Sequence, residues 1–221
     1  EIYTLSLHDA LPILAYVGAS KPEEYGDYFA WGETTPKNNY SWSTYKWSDG
    51  SISTLTKYNT KSDYGTVDNK AVLEMSDDAA RANWGGKWRM PIKAEFDELM
   101  SNCTYTWTTF NGVNGYLVTS KMNGNSIFLP AADAGSAGYY WCSYLKSDRP
   151  SNAWLLGFGA NFGTGNVDRC VGISVRPVYG DLISVSSISL NQTSLSLAKG
   201  QTATLTVTVK PDNATDKTVS W

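Results

Sequence analysis

Aromatic residues fill most of this chain and are nearly absent from its C-terminal part. The 221 residues include nine Trp, fourteen Tyr and six Phe, yet residues 183–221 contain no aromatic side chain except that of Trp221. That stretch is rich in Ser, Thr and Val instead. A change of composition this sharp is typical of a domain boundary. We therefore expect a large aromatic domain over residues 14–178, a linker over 179–182 and a second domain over 183–221.

The second domain carries a clear strand pattern. Apolar and Thr side chains alternate over residues 202–209, as in a strand with one buried face. The side chains predicted to face inward are those of Ala203, Leu205, Val207 and Val209. Residues 210–213, Lys-Pro-Asp-Asn, are typical of a turn. The pattern predicts the opening of an all-β sandwich, and because a sandwich normally needs ~100 residues, we expect this domain to be truncated at its C-terminal side.

Residues 1–13, with the sequence EIYTLSLHDALPI, do not resemble the start of a protein. They lack the basic region and the small-residue cleavage site of a signal peptide, and their back-translation resembles a common short-read sequencing adapter. We therefore expect these residues to be non-native and the first domain to be truncated at its N-terminal side. Without Glu1 and Asp9, 19 acidic residues remain against 18 basic ones, so the net charge changes from −3 to −1.

Charge, hydropathy and histidine content exclude several classes of function. A nearly neutral net charge does not favour a nucleic-acid-binding surface, and no run of about 18 apolar residues is present to span a membrane. Because the only histidine, His8, lies in residues 1–13, the remaining chain has no Ser-His-Asp or Cys-His arrangement and no histidine metal ligand. Cys103, Cys142 and Cys170 stand far apart without a C-x-x-C motif, which disfavours a zinc site. We expect no catalytic residue, no metal and no cofactor.

The first domain begins with a loop-rich part that leads into a helix. Residues 14–75 show weak periodicity, which predicts long loops and short strands held in place by aromatic side chains. A helix is predicted over residues 76–84, with Ser76 as its N-cap and Gly85-Gly86 as its stop signal.

A second helix and several strands follow. The helix is predicted over residues 91–100, with Pro91 near its start. Its buried stripe is predicted to consist of Phe96, Leu99, Met100 and Cys103. The predicted strands are residues 116–120, 126–129, 139–144, 153–158 and 173–178. Two helices followed by short strands predict an α+β domain.

Three parts of the first domain resemble a known family. Residues 85–96, GGKWRMPIKAEF, are similar to the G-x-W-R-L-P-T-x-A-E-W motif of C-type-lectin-like domains of the formylglycine-generating-enzyme and Fibrobacter major-paralogue type, with Ile92 in place of the usual Thr N-cap. Residues 17–34 resemble the start of such domains in gut Bacteroidales proteins. The stretches that resemble their C-terminal end are residues 138–141, 153–154 and 172–178.

The second domain resembles a different family. Residues 211–215, PDNAT, and residues 219–221, VSW, are similar to the first half of a bacterial Ig-like group 2 domain. Together the two resemblances imply an α+β C-type-lectin-like fold with two helices and short antiparallel strands, followed by a partial all-β Ig-like sandwich. They also imply a protein of the cell surface or the extracellular space, in which the Ig-like unit serves as a spacer.

The residues that the enzymatic and the calcium-binding members of the lectin-like family require are not found in this chain. The oxidase branch uses a close pair of cysteines, whereas Cys142 and Cys170 are 28 positions apart. Calcium-dependent lectins use E-P-N or Q-P-D and W-N-D motifs, whose oxygens suit a hard cation, and residues 14–178 contain none of them. Cys142 and Cys170 could form a disulfide, as in other exported proteins, or stay free as two thiols.

Residues 139–178 resemble the variable region of proteins that are diversified by diversity-generating retroelements. In that process Asn-type AAY codons are randomised, and such codons cannot yield Lys, Trp, Glu, Gln or Met. Residues 155–180 contain none of these five types. Leu156 and Phe158 are expected to face inward, because they alternate with the proposed variable positions. The twelve ligand-binding positions that the resemblance implies are Cys142, Tyr144, Asp148, Arg149, Leu155, Gly157, Phe162, Val167, Asp168, Cys170, Val171 and Ile173.

These inferences favour a non-enzymatic, exported module for ligand binding or adhesion, which contacts an unknown protein or glycan through its C-terminal lectin-like face. Tyr144→Ala and Phe162→Ala are then expected to weaken binding and to leave melting unchanged. Two alternatives stay open. The segment is an ordinary Gly-rich region of an architectural surface domain without a specific ligand, or the chain is a redox or oxidase enzyme with copper or a reactive thiol. We expect no nucleic-acid partner.

Overall fold

The computed structural model describes residues 15–132, 135–159, 161–211, 214–217 and 219. These residues form two compact units, which meet in sequence between Gly180 and Asp181. The predicted adapter-derived segment, residues 1–13, lies outside the described residues, and so do Asp212 and Asn213 of the predicted turn.

The described residues form twelve strands and two α-helices. The two helices and the short strands of the expected α+β fold are present, and the fold is β-rich. The helices are α1 (Ala79–Trp84) and α2 (Lys93–Asn102). The strands are β1 (Tyr28–Phe29), β2 (Trp88–Arg89), β3 (Cys103–Phe110), β4 (Val113–Ser120), β5 (Ser126–Pro130), β6 (Gly138–Leu145), β7 (Asn152–Phe158), β8 (Gly163–Asp168), β9 (Ile173–Ser174), β10 (Val178–Tyr179), β11 (Ser187–Leu190) and β12 (Val207–Lys210).

The centre of the larger unit is a five-stranded sheet in the order β1-β9-β6-β7-β8. All neighbouring strands are antiparallel except β6 and β9, which pair in parallel. Successive side chains of a strand point to opposite faces of the sheet. On one face Trp141 and Leu155 belong to a first core cluster, and on the other face Cys142 and Leu156 belong to a second. Strands β6 and β7 are therefore buried on both faces, which explains their nearly continuous apolar sequence.

The second core cluster is closed by a three-stranded sheet, β3-β4-β5, and by helix α2. Phe96 and Leu99 of α2 pack into this cluster. Gly115 of β4 allows the close approach of β5, because a Cβ atom there would lie 2.3 Å from the carbonyl oxygen of Leu129.

Both helices begin later than the sequence predicts. Helix α1 is capped by Asp78 rather than Ser76, since the Asp78 carboxylate accepts the backbone N–H groups of Ala80 and Arg81 at 2.9 and 3.1 Å. Helix α2 starts after Ile92 and not at Pro91. The Glu95 carboxylate accepts the backbone N–H of Ile92 at 2.9 Å. A free N–H group at the start of the helix is thereby hydrogen-bonded without a Thr side chain.

Two other predicted boundaries are wrong. Cys103 begins strand β3 instead of ending the stripe of helix α2, although it stays buried beside Phe96 and Leu99. The single strand predicted over residues 173–178 is two short strands, β9 and β10, which pair with different partners. Pro177 lies between them and has no N–H to donate to a strand partner.

The N-terminal part of the larger unit is a long loop with one two-residue strand and short 3₁₀ turns, which confirms the prediction from its composition. Aromatic side chains hold it in place. The Tyr45 hydroxyl donates to the carbonyl oxygen of Trp31 at 2.6 Å, and the Trp47 indole N–H donates to that of Gly32 at 2.8 Å. These bonds satisfy loop carbonyl oxygens and add to the backbone hydrogen bonds of the segment.

The smaller unit contains the antiparallel pair β11 and β12, in which Ile188 pairs with Val209. A strand was predicted over residues 202–209. The observed strand, Val207–Lys210, is shorter and begins five residues further along the chain. Ile183 and Thr215 also bond to each other through backbone and hydroxyl groups, at 2.7 and 2.8 Å.

Candidate ligand-binding groove

A groove of about 540 Å³ lies on the face of the five-stranded sheet that carries the first core cluster. Its walls come from strands β1, β6, β7, β8 and β9, from the segment that leads into β9, and from Ala132. The lining residues are Tyr28, Ala132, Tyr139, Leu155, Gly165, Asn166, Val167, Val171, Gly172 and Ile173. The groove lies within the size range of small-molecule sites in proteins.

Glycines leave this part of the sheet open. Leu155 pairs directly with Gly165 across β7 and β8, and the same register places Gly157 opposite Gly163. A Cβ atom on Gly165 would meet the Leu155 side chain at 3.5 Å, an ordinary contact distance. The groove exists there because β8 carries no side chain above Leu155.

A buried arginine fixes the segment between β8 and β9. Arg169 is fully buried and donates to the carbonyl oxygens of Tyr58 and Lys57 at 2.6 and 2.7 Å. Its own carbonyl oxygen accepts the backbone N–H of Trp31 at 2.8 Å. Burial lowers the pKa of this guanidinium from its usual value. The anchored backbone holds Val171 at the groove wall, two residues further on.

Gly172 completes this wall for a steric reason. A Cβ atom at this position would lie 2.7 Å from the ring of Tyr40, so a larger residue would displace the Tyr40 side chain or the segment itself. The Tyr40 hydroxyl donates to the carbonyl oxygen of Tyr28 and accepts the backbone N–H of Lys37 at 3.1 Å.

The groove is apolar and uncharged. None of its ten lining residues carries a formal charge. The two tyrosines are the polar side chains of this lining that the strand register leaves available. Asn166 pairs with Trp154, so its side chain points to the other face of the sheet, where its oxygen accepts from the Asn152 amide at 3.0 Å. A surface of this kind suits a neutral ligand group with aromatic or aliphatic parts, and the lining residues offer no general acid, general base or nucleophile of ordinary strength.

Four of the twelve predicted binding residues meet at the groove. They are Leu155, Val167, Val171 and Ile173. Gly157 lies next to it, since a Cβ atom there would touch the Tyr139 ring at 3.1 Å. Residues from β7, β8 and β9 are thus brought to one concave surface by strand pairing. Whether any of them binds a ligand stays a prediction.

Three predicted residues lie on the opposite face of the sheet. Cys142 is fully buried in the second core cluster, and Tyr144 and Phe162 pack against that cluster as half-buried side chains. The Phe162 ring stacks on Tyr105, with centroids 4.4 Å apart. The single outward patch implied by the sequence is therefore wrong for these positions, because the sheet is covered on both faces.

Two predicted residues occupy the turn between β6 and β7. Asp148 and Arg149 are exposed there, and the Asp148 carboxylate accepts from the Lys146 ammonium at 2.6 Å. This hydrogen bond lowers the pKa of Asp148 from its usual value. Neither residue lines the groove.

The remaining two predicted residues end β8 and begin the anchored segment. Asp168 is half-buried and pairs with Asn152 in the strand register. Cys170 is buried with Ala30 and Tyr45, and this burial raises the pKa of its thiol to about 11. Cys170 is therefore not part of an exposed contact surface.

All three cysteines are free and buried. Cys142 and Cys170 belong to different core clusters, so the disulfide alternative is not realised. Burial raises the pKa of the Cys142 thiol far above its usual range. Within the described part of the chain, no group of three or more His, Cys, Asp or Glu side chains is placed to hold a metal ion.

Tyr28 and Tyr139 are groove residues that the sequence argument did not select. Tyr139 stands at the start of the segment that resembles a variable region. It lies outside residues 155–180, so the codon argument gave no reason to select it. Tyr28 is far away in sequence and reaches the groove because β1 pairs with β9, with Phe29 opposite Ile173. Gly165, Asn166 and Gly172 lie inside residues 155–180, where the absence of five residue types was the only signal.

The C-terminal segment is similar to a known protein family. Residues 184–221 match the bacterial Ig-like domain (group 2) family. Domains of this family typically occur in extracellular or surface proteins. No curated protein and no solved structure is found to be similar to the chain. Neither helix of the described residues combines the length and the hydropathy of a bilayer-spanning segment. The chain thus combines a β-rich unit with an Ig-like segment of the kind found in surface architecture and adhesion.

Proposed function

We propose that this chain is a non-catalytic, exported module for ligand binding or adhesion, in which the groove of the larger unit holds a protein or glycan ligand and the Ig-like segment acts as a spacer. One observation carries the proposal. Residues singled out from the sequence as contact positions, from three separate strands or loops, line one groove on a rigid sheet.

The rigidity of the surrounding structure favours ligand binding. The groove rests on a sheet that is packed on both faces, and its loop wall is fixed by Arg169. A preorganised surface loses little conformational entropy when a ligand binds. Side chains of moderate size on such a frame can change without loss of the fold, as they do in antibody paratopes.

A C-type-lectin-like fold over residues 14–178 is part of the proposal. It is supported by the role of the motif in residues 85–96. Arg89 and Glu95 form a double hydrogen-bonded ion pair at 2.6 and 2.7 Å, and Arg89 also donates to the carbonyl oxygen of Gly180 at 2.9 Å. The motif therefore connects helix α2 to the C-terminal end of the unit. This is expected if the motif is shared by the family because it stabilises the fold.

Diversification by a retroelement belongs to the same proposal, and sequencing of the locus tests it. Variants in the source community should differ at Leu155, Val167 and Val171, which face the groove, and should keep Trp154 and Arg169. A neighbouring reverse transcriptase gene is expected. An invariant locus would contradict diversification and would favour an architectural domain.

A pair of glycine substitutions tests the groove itself. Gly165→Phe adds a side chain above Leu155 and fills the groove, while Gly163→Phe adds the same side chain to the same strand outside the lining residues. The chain and both variants would be applied to a printed glycan array and to a phage-displayed random peptide library. We expect ligands selected by the unmodified chain to bind at least tenfold more weakly to Gly165→Phe and unchanged to Gly163→Phe.

Two results would count against this proposal. Equal binding by both variants would place the ligand elsewhere on the chain. Absence of any selected ligand, for a chain that melts cooperatively, would favour the architectural alternative.

A further inference from the structure

Five aromatic side chains of the larger unit contact one another on the side of the five-stranded sheet that carries the second core cluster. We call this group the aromatic rim. Its members are Tyr105, Trp107, Tyr116, Phe158 and Phe162. Their ring centroids are separated by 4.4 to 6.2 Å in stacked or edge-to-face arrangements. Aromatic pairs in these geometries attract each other beyond the effect of burial alone. The rings therefore hold one another in fixed orientations.

The rim runs from a buried base to an exposed top. Phe158 is 2% exposed and belongs to the second core cluster, whereas Tyr105 and Trp107 are each 43% exposed. Tyr105 and Trp107 are two positions apart on β3 and so lie on the same face of that strand, about 7 Å apart along it. The structure thus presents two aromatic rings side by side to solvent on a rigid support.

The strands that carry the rim contain no charged residue. Strands β3 and β4 contain no Asp, Glu, Lys or Arg, and neither do residues 153–167. Near Trp107, polar groups are offered by Thr109 and Asn114, whose side-chain oxygens lie 2.8 Å apart. A ligand that fits here needs apolar faces for the rings and uncharged hydrogen-bonding groups at their edges.

The exposed aromatic area is small. An aromatic side chain has about 150–250 Å² of surface, so two such side chains at 43% exposure offer about 130–215 Å² in total. A stable protein interface buries about 800 Å² on each partner. The size of the rim therefore suits a narrow ligand better than a folded protein.

We propose that the aromatic rim is a second binding surface of this chain and that it binds a neutral glycan. A pyranose ring has a flat face of C–H groups, which packs on Trp107 or Tyr105, and a rim of hydroxyls, which bond to the amide and hydroxyl groups nearby. The rim lies on the opposite face of the five-stranded sheet from the groove, since Phe158 and Leu155 belong to different core clusters. This site is distinct from the groove and does not depend on the groove binding a ligand.

Affinity gel electrophoresis of the full chain tests the proposal. The gels would contain hydroxyethylcellulose, a neutral xylan, a mannan or, as a charged comparison, polygalacturonate. The variants are Trp107→Thr and Tyr105→Thr, which keep the high strand propensity of a β-branched residue. The matched control is Phe110→Thr, on the same strand with 40% exposure but on its other face. Gly165→Phe serves as a control for the groove.

We expect at least one neutral polysaccharide to retard the chain, with at least tenfold weaker binding in Trp107→Thr and no change in Phe110→Thr or Gly165→Phe. Binding should persist in 1 M NaCl, because no charge pairs are involved. Partial recovery is expected in Trp107→Phe, which restores an aromatic ring.

Several results would overturn the proposal. They are the absence of retardation by all three neutral polysaccharides, equal loss in Trp107→Thr and Phe110→Thr, and loss of binding in high salt. A concentration-dependent dimer in analytical ultracentrifugation that Trp107→Thr abolishes would show that the rim contacts a second copy of the chain instead. If Trp107→Thr melts at a much lower temperature than the unmodified chain, its loss of binding is not informative. The binding of Tyr105→Thr to the neutral polysaccharides then tests the proposal, with the same expected loss.

Discussion

The indole N–H of Trp31 donates to the carbonyl oxygen of Cys142 at 2.7 Å, although 111 residues separate them. A second bond of the same kind runs in the opposite direction, from the indole of Trp141 to the carbonyl oxygen of Phe29 at 2.7 Å. Both Trp side chains are fully buried. The two bonds fasten the N-terminal loop to strand β6, and this places Tyr28 beside the groove.

Trp31→Phe should therefore destabilise the larger unit. The substitution leaves the carbonyl oxygen of Cys142 without its indole partner in the interior, at a cost of about 1–3 kcal/mol. Urea unfolding followed by circular dichroism measures the change. Trp107→Phe is the control, because Trp107 is exposed, and it should change the free energy of unfolding by less than about 0.5 kcal/mol. Equal effects of the two substitutions would contradict the role assigned to Trp31.

The ion pair between Arg89 and Glu95 leads to a second prediction. Its side chains are only 10% and 13% exposed, and the guanidinium makes two hydrogen bonds with the carboxylate. Glu95→Gln removes the charge that compensates Arg89 and should lower the free energy of unfolding by about 2–3 kcal/mol.

Asp97→Asn on the same helix provides the matched control. Lys93 and Asp97 form an exposed pair at 2.7 Å, and its loss should cost about 0.5 kcal/mol or less. Chemical denaturation of both variants checks the prediction. A loss in Glu95→Gln as small as that in Asp97→Asn would mean that the lectin-like motif does not stabilise the unit through this pair.

Phe162→Ala should lower the melting temperature, in contrast to the expectation from sequence. Phe162 stacks on Tyr105 and Phe158 and meets Tyr116 edge to face. Removal of a half-buried ring from this group should cost about 1–3 kcal/mol. Val171→Ala, at an exposed groove position, should cost less than about 0.5 kcal/mol. Differential scanning calorimetry of both variants makes the comparison, and unchanged melting of Phe162→Ala would show that the ring packs more loosely than described.

The three thiols should be unreactive in the folded chain. The thiolate is the reactive form, and with a pKa of about 11 only about one Cys170 thiol in a thousand is ionised at pH 8. Cys103 and Cys142 are buried as well. Titration with Ellman's reagent at pH 8 should detect no rapid reaction in the native chain and three thiols in 6 M guanidinium. Detection of one thiol in denaturant would instead indicate a Cys142–Cys170 disulfide, and a fast native thiol would revive the redox alternative.

The strands could be predicted only in part. Strand β3, CTYTWTTF, was missed although its Thr and aromatic residues favour a strand. Strand β7 is continuous and apolar, and its boundaries differ from the prediction by one residue. Strand β8 was missed because its sequence, GTGNVD, has low strand propensity. It forms because β7 offers a complete set of backbone partners, which is a property of the assembled sheet and not of the segment.

The candidate site was predicted only in part for a similar reason. The codon argument selected Leu155, Val167 and Val171 without reference to their position in the sheet. It also selected Cys142 and Phe162, which belong to the opposite face, because the sequence alone does not show that β6 and β7 are covered on both faces. Tyr28 could not be predicted at all, since only the pairing of β1 with β9 brings it to the groove.

The last prediction concerns stability at acid pH. Hydrogen bonds from the Lys57 ammonium at 2.5 Å and from Lys70 lower the pKa of Glu74 from 4.5 to about 2. Between these two values the unfolded chain binds more protons at this position than the folded chain does. The contribution of Glu74 to stability is therefore fully present above about pH 5 and is lost as the pH falls toward 2.

Glu74→Gln should accordingly melt at a lower temperature than the unmodified chain at pH 6, and the difference should shrink steadily between pH 5 and pH 2. Melting curves at half-unit intervals measure this convergence. Asp63→Asn, an exposed substitution with the same change in charge, controls for the general effect of net charge. If the difference for Glu74→Gln stays constant down to pH 2, the Glu74 carboxylate is not held by Lys57 and Lys70 in solution.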